Sequence, residues 1–383
     1  MRGLKVLITN YRFATRSGTE IYVRDLALEL LKRGHSPIIY SPRLGEIADE
    51  VRFATVPVVD DLKKIAATPD IIHGQHLDET MTALLHFPNV PAIYVCHEWH
   101  SILDQPPRIP RILRYVAVDE ACYDKLVFEC AVPEERVRLL LNAVDLERFK
   151  PRSPLPVRPQ SALLYNNLAE EGVYLEAIRE ACARCDLKLD VLGQGLNAVS
   201  IEPEKALAQY DIVFAKGRSA LESLAVGAAV VIHFGRGVGH MVCNDELEKL
   251  LPLNFGIRAM SKASSPQAFT EALCREIARY DALDAGNVTR RVRQMCGYDS
   301  AINEMISLYE EAIAERGEAK VINANLEYQA VAEYVRWSSL RNQNQLDSLN
   351  NSAAMRLKRR IVDIPFVGKA AHSLARRLSG SNS

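Results

Sequence analysis

The sequence predicts an α/β protein of two doubly wound halves in tandem, followed by a helical extension. Three observations predict it: a strand, loop, helix, strand series opening at Lys5, a second such series opening at Ala162, and a proline-rich interruption between them. The length agrees, because 383 residues exceed one ordinary core and fit two domains of common size with a remainder.

In the first half, Lys5 to Asn10 is a short β-rich apolar run, followed by a loop holding Gly18 and a helical pattern from about Glu20 to Arg33. Gly34-His35 closes that helix, and Ser36 to Ser41 supplies the next strand. Further strands are expected at Asp70 to His73, Ala92 to Cys96 and Arg114 to Val118, which makes residues 1–150 a parallel-sheet domain. Pro151, Pro154, Pro156 and Pro159 then interrupt helix and strand alike, marking residues 151–159 as a linker. The second half, residues 160–298, carries strands at Ala162 to Tyr165, Leu187 to Leu192, Asp211 to Phe214 and Ala229 to His233. Helices are expected from about Gly172 to Cys185 and around Leu221. A helix from about Ala301 to Glu315 fills residues 299–320, and residues 321–383 form a helical, basic extension without a fixed-period repeat.

The charge balance of 47 basic and 48 acidic residues gives the chain no electrostatic means of gripping nucleic acid. One segment departs from that balance: Arg356, Lys358, Arg359, Arg360, Lys369, Arg376 and Arg377 face the single acid Asp363. With Leu357, Ile361 and Phe366 among them, residues 355–378 suit a peripheral contact with an anionic inner leaflet, or else a frayed, solvated end. Eight scattered cysteines suggest no disulfide framework and a reducing compartment, and Cys182 and Cys185 lack a second pair to complete a ligand set. The run LKVLIT is too short for a leader, and no stretch of about 18 apolar residues occurs. The expectation is a cytoplasmic protein, peripheral at most on the inner membrane face.

Three segments resemble the GT-B retaining glycosyltransferases of family 4. Ser17-Gly18-Thr19-Glu20, with Val23 to Ala27 and Arg33-Gly34-His35, looks like that family's glycine loop and first helix. Leu141 to Pro151 is similar to the usual ending of its first domain, and Ser219 to Val231 to the segment that holds the donor nucleotide. The resemblance runs from Lys5 to about Glu315. It implies a GT-B fold: two Rossmann-like domains facing each other across a cleft, the first for the acceptor and the second for the nucleotide sugar.

The residues supply chemistry that fits. A helix amino end offers free N–H groups and a positive dipole end to a diphosphate, and Ser219 and Ala220 open such a helix. Glu222, one turn in, is expected to accept from a ribose diol, with a first-turn acid favoured by the dipole as the alternative. Gly18 would let a loop backbone approach a ligand closely, with Thr19 beside it, although taken alone the glycine reads as an ordinary tight turn between strand and helix. His97 follows a strand at the carboxyl edge where open α/β sheets gather ligands, and the resemblance implies a histidine facing the sugar there. His73 and His76, with Asp78 and Glu79, have no spacing that fixes two imidazoles on one ion, so an acceptor-side or structural role is expected.

The chain also departs from the family. An arginine and a lysine usually clamp the donor phosphates after the first strand of the second domain, and the stretch from Asn166 to Glu171 has neither. The usual second glutamate, eight residues before Glu222, falls on Phe214 within a strand. Lys216, Gly217 and Arg218 stand immediately before the helix and are expected to bind the diphosphate instead, with solvated loop charges as the alternative and Arg236 in the run Gly235 to Gly239 as a third cation.

The expected activity is transfer of a sugar, with retention, from a nucleotide-diphosphate donor to a hydroxyl on a saccharide, lipid-linked or protein acceptor, with bacterial polysaccharide or glycoconjugate assembly as the expected setting. No metal and no cofactor are called for, the nucleotide sugar being a substrate. A catalytically impaired GT-B module, binding sugar nucleotides or serving as a partner in an assembly complex, is the alternative. A dinucleotide oxidoreductase would want G-x-G-x-x-G after a strand, a spacing that Gly235 to Gly239 lacks.

Overall fold

The computed structural model describes residues 3–167, 171–193, 202–318 and 324–351. The chain divides into two units, Met1–Lys320 and Val321–Ser383. The first unit holds two lobes, each built on its own sheet.

The first lobe contains β1 (Lys5–Thr9), α1 (Gly18–Lys32), β2 (Ser36–Tyr40), α2 (Glu46–Phe53), β3 (Val58–Val59), β4 (Ile71–Gly74), α3 (Leu77–His86), β5 (Ala92–Cys96), β6 (Ile112–Ala117), α4 (Glu120–Asp124) and β7 (Val137–Leu139). Its sheet runs β3-β2-β1-β4-β5-β6-β7 with every pairing parallel. Helices cover both faces, so β4 and β5 are buried along their whole length, and β5 reads as a continuous apolar run. The order reverses between β1 and β4, which opens a crevice at their carboxyl ends.

The second lobe contains β8 (Ser161–Tyr165), α5 (Val173–Arg184), β9 (Lys188–Leu192), α6 (Pro203–Leu207), β10 (Ile212–Ala215), α7 (Gly217–Val226), β11 (Ala229–Phe234), β12 (Gly237–Met241), α8 (Leu247–Leu250), β13 (Met260–Lys262), α9 (Pro266–Ile277) and α10 (Ala282–Met295). Its sheet runs β13-β12-β11-β10-β8-β9. Alternation along β10 divides the core: Val213 packs with Leu221 of α7 and Val288, while Phe214 packs with Ile178 and Phe269 on the other face.

Two strands at the edge, β12 and β13, are antiparallel, where the sequence suggested only a glycine-rich loop. Gly235 adopts φ +56 to turn β11 into β12, and Phe234 pairs with Gly237 across that turn. The run Gly235 to Gly239 is therefore a hairpin and leads into no phosphate-binding helix.

Residues 151–159 form neither helix nor strand. Arg152 fixes them to the second lobe, its backbone N–H donating to Val226 at 2.8 Å and its guanidinium meeting Asp211 at 3.1 Å. Helix α11 (Tyr298–Glu318) begins three residues before the expected Ala301 and packs against β5 and β6 of the first lobe. There Arg114 meets Glu311 at 3.3 Å and Glu315 at 2.6 Å. In the second unit α12 (Ala324–Asn350) is a 27-residue helix. The basic segment 355–378 lies outside the described residues, as do residues 168–170 of the missing clamp. No described helix is long and apolar enough to cross a membrane.

Candidate functional site between the lobes

Helix α7 places its amino end at the boundary between the lobes. Lys216 is the extended N-cap, and Gly217 takes φ +56 to turn the chain from β10 into the helix. Arg218 and Glu222 stand one turn apart on one face, and Arg218 Nε donates to Glu222 Oε1 at 2.9 Å.

Arg218 then crosses to the first lobe. Its Nη2 donates to Asp25 Oδ2 on α1 and to Tyr298 Oη at 2.7 Å, while Tyr298 Oη donates to the same carboxylate at 2.6 Å. Arg24 closes the other side, donating to Asp25 Oδ1 through Nη2 at 2.6 Å and Nε at 2.8 Å. Burial alone would raise the Asp25 carboxyl, but Arg218 and Arg24 outweigh it and hold the pKa below the ordinary value. Burial likewise opposes the charge on Arg218, and Tyr298, Asp25 and Glu222 overcome it. Tyr165, at the end of β8, donates to Glu222 Oε2 at 3.3 Å. The result is a clasp of charged and phenolic groups joining α1, α7, β8 and α11.

The sequence-predicted residues take distinct places around this clasp. Glu222 is 6% exposed and faces the boundary, but Arg218 and Tyr165 already occupy its two oxygens. Arg218, expected as a phosphate cation, is engaged by two carboxylates. Lys216 is less committed: its Nζ lies 3.7 Å from the Phe234 ring centroid and 4.0 Å from Glu98 Oε1. Burial lowers its pKa, against the pull of Glu98 and Asp119. Ser219 is half-buried, whereas Ala220 turns into the core and offers only its backbone. Arg236 has its guanidinium 5.6 Å over the Tyr174 ring, and its Nη2 donates to the Ala263 carbonyl at 3.3 Å.

In the first lobe Gly18 opens α1, and a methyl group there would meet no atom within 4 Å. Thr19 beside it is half-buried. The loop before Gly18 is ordered by Glu20, which accepts from the backbone N–H groups of Ala14, Thr15 and Ser17 at 2.9, 3.0 and 2.9 Å. The ring of His97, past the end of β5, stands edge-on to Tyr22 with centroids 4.6 Å apart, and its Nε2 is enclosed with no hydrogen-bond partner among the described residues. Tyr22 also lies against His73, whose Nδ1 meets Tyr309 Oη at 2.7 Å. Tyr22, Asp25, Arg218 and Tyr298 together line a cavity of about 40 Å³.

Burial drives the pKa of His73 to about 3 and of His76 to about 4, so both rings are neutral at physiological pH. Burial, helped by His76, His73 and Arg218, holds His97 well below its ordinary value too. Among the described residues no group of histidine, cysteine or carboxylate side chains has a metal-holding arrangement. The Cys182 and Cys185 thiols are pushed up to about 12 and about 11, by burial first, which keeps them protonated.

Sequence reading missed Asp25, Tyr298, Tyr22 and Asp104. The one local signal was the charged pair Arg24-Asp25 inside the buried stripe Val23, Leu26, Ala27 and Leu30 of α1. Asp104 is 2% exposed, and burial pushes its pKa to about 7 although the backbone N–H groups of His97 and Glu98 bond to it. It holds the peptide that carries the His97 ring.

Two lobes of this topology, each a sheet covered by helices, define the GT-B fold class. The Glycosyltransferase Family 4 model matches residues 16–148, so the first lobe is similar to that family. No curated protein matches the sequence. A glycosyltransferase from Rickettsia africae is 14% identical with a TM-score of 0.60, the match covering 82% of this chain and 99% of that one. Anabaena HepE, solved in complex with UDP and glucose, is 14% identical with a TM-score of 0.57, covering 80% and 99%. The lipopolysaccharide outer core galactosyltransferase WaaB, in its apo form, is 11% identical with a TM-score of 0.54, covering 82% and 100%. At such identities the likeness is one of fold.

Proposed function

We propose that the protein is a retaining glycosyltransferase that moves a sugar from a nucleotide-diphosphate donor to a hydroxyl acceptor without a bound metal. The family 4 match and the shared fold support glycosyl transfer in general. One observation carries the finer reading: the amino end of α7, with Lys216 before it and Glu222 one turn in, faces the lobe boundary at which Tyr22 and His97 stand. Helix N–H groups and Lys216 would hold the diphosphate. Glu222 would exchange Arg218 and Tyr165 for the ribose hydroxyls, and His97 would orient the sugar through a hydrogen bond. The acceptor would enter from the first lobe, with closure completing the site.

The UDP and glucose bound to HepE support a sugar nucleotide as donor, and the activity named for WaaB supports bacterial surface polysaccharide as the setting. Residues 355–378 would bring the cleft to an anionic membrane; sedimentation with anionic vesicles should need them, and equal binding by a chain ending at Met355 removes that part.

A second reading has its own observation. Arg218, Glu222, Asp25 and Tyr298 saturate one another, which favours a module that binds sugar nucleotides, or joins an assembly complex, without turnover. Thermal shifts with uridine, guanosine, thymidine and adenosine diphosphate sugars, followed by hydrolysis and transfer assays, separate the readings. Binding with turnover supports the enzyme, binding alone supports the module, and no shift with any donor removes both.

A further inference from the structure

Gln75 stands one residue past the end of β4 and is fully buried, yet among the described residues neither end of its side-chain amide has a hydrogen-bond partner. Three groups nearby share that condition: Asn10 Oδ1 just past β1, His73 Nε2 within β4, and His97 Nε2 just past β5. These three strands are neighbours in the sheet, so the four side chains line one stretch of its carboxyl edge.

Their direction follows from the pleat. Gly74, between His73 and Gln75, faces α3, where an added Cβ would stand 2.5 Å from Thr80 Cγ2. His73 and Gln75 therefore point to the other face, where His73 meets Tyr309 of α11. The Gln75 backbone is pinned while its amide is unmet: its N–H donates to Thr9 Oγ1 at 3.0 Å, and that hydroxyl lies 3.0 Å from the Gln75 carbonyl. The next residue, His76, is held at φ +61, a conformation that a histidine keeps only when its surroundings impose it. Unmet polar groups in a fixed frame destabilise the empty protein, and a ligand that bonds to them removes the deficit.

Resting on the glycosyl-transfer reading, we propose that Gln75 is a hydroxyl-reading residue, its amide oxygen and nitrogen holding hydroxyls of a neutral hexopyranosyl group against the ends of β1, β4 and β5. A primary amide accepts and donates at once, which matches a vicinal diol, and Asn10 Oδ1 adds a further acceptor. The charge of the ligand follows from the neighbours. His73 and His76 are neutral, and Arg218 is already paired with Asp25 and Glu222. A phosphate or carboxylate would meet no countercharge from these groups.

The test uses the full chain and Gln75→Met, which keeps the side-chain length and removes both polar ends. Melting without ligand and titrations with the four nucleoside diphosphates, each beside its glucose derivative, are compared with wild type. The expected result is a ligand-free melting temperature at or above that of wild type, with the glucose-dependent gain in affinity reduced about tenfold or more. A lower ligand-free melting temperature shows an amide satisfied inside the protein and overturns the proposal. An undiminished glucose increment overturns it as well. A wild type that responds to none of the nucleotides counts against glycosyl transfer itself, a failure read from wild type alone, while the ligand-free melting comparison still judges Gln75.

Discussion

Asp25 of α1 and Arg218 of α7 belong to different lobes and form a buried ion pair, with Tyr298 of α11 bonded to both. Removing one member strands the other in a poorly solvated place. Asp25→Ala should lower stability by about 3–5 kcal/mol, measured by urea unfolding, and Asp25→Ala with Arg218→Met should recover part of that loss. A loss below about 1 kcal/mol would show that water reaches the pair.

Lys216 is the cation beside α7 whose charge is least committed. Lys216→Met should weaken UDP binding by about tenfold in titration calorimetry, with a stability change below about 1 kcal/mol. Unchanged affinity would remove Lys216 from the donor site.

Folded, His73 and His76 stay neutral down to pH about 3 and about 4, whereas unfolded they take up a proton near 6.5. Unfolding therefore takes up protons below pH 6.5, and stability falls as the pH drops from there toward 4, by about 1.4 kcal/mol per unit for each ring. His73→Gln should shrink the stability difference between pH 7 and pH 5 by about 2 kcal/mol in urea unfolding. An unchanged difference would mean that the ring is hydrated.

Asp104 acts in the opposite sense. Folded, it keeps its proton to pH about 7, against 3.8 for the ordinary carboxyl, so the folded state binds the extra proton and stability falls as the pH rises through that window. Asp104→Asn should gain on wild type by about 2–3 kcal/mol between pH 5 and pH 8, read by urea unfolding at both. A constant offset between the two proteins would place the titration elsewhere.

The lobes were legible because buried parallel strands announce themselves as unbroken apolar runs, as β5 and β10 do, and because four prolines mark the join. Strands β3 and β7, of two and three residues, are too short for any pattern to emerge, and the glycines of β12 mask a strand as a loop. Glu222 lies buried at the lobe boundary, bonded to Arg218 and Tyr165. The crossing from Arg218 to Asp25 could not be foreseen, since the two are 193 positions apart and no local periodicity links them. Gln75 was equally hidden, because an amide in a loop looks solvated until the surrounding strands enclose it.

Helix α11 touches the Asp25–Arg218 pair through Tyr298 and the floor beneath His73 through Tyr309, two anchor points about 16 Å apart on a single rod. Rotation of one half of the molecule therefore pulls on the wall of the other through a stiff lever. On the proposed reading, the groups offered to a nucleotide and those offered to a sugar would shift together with this helix.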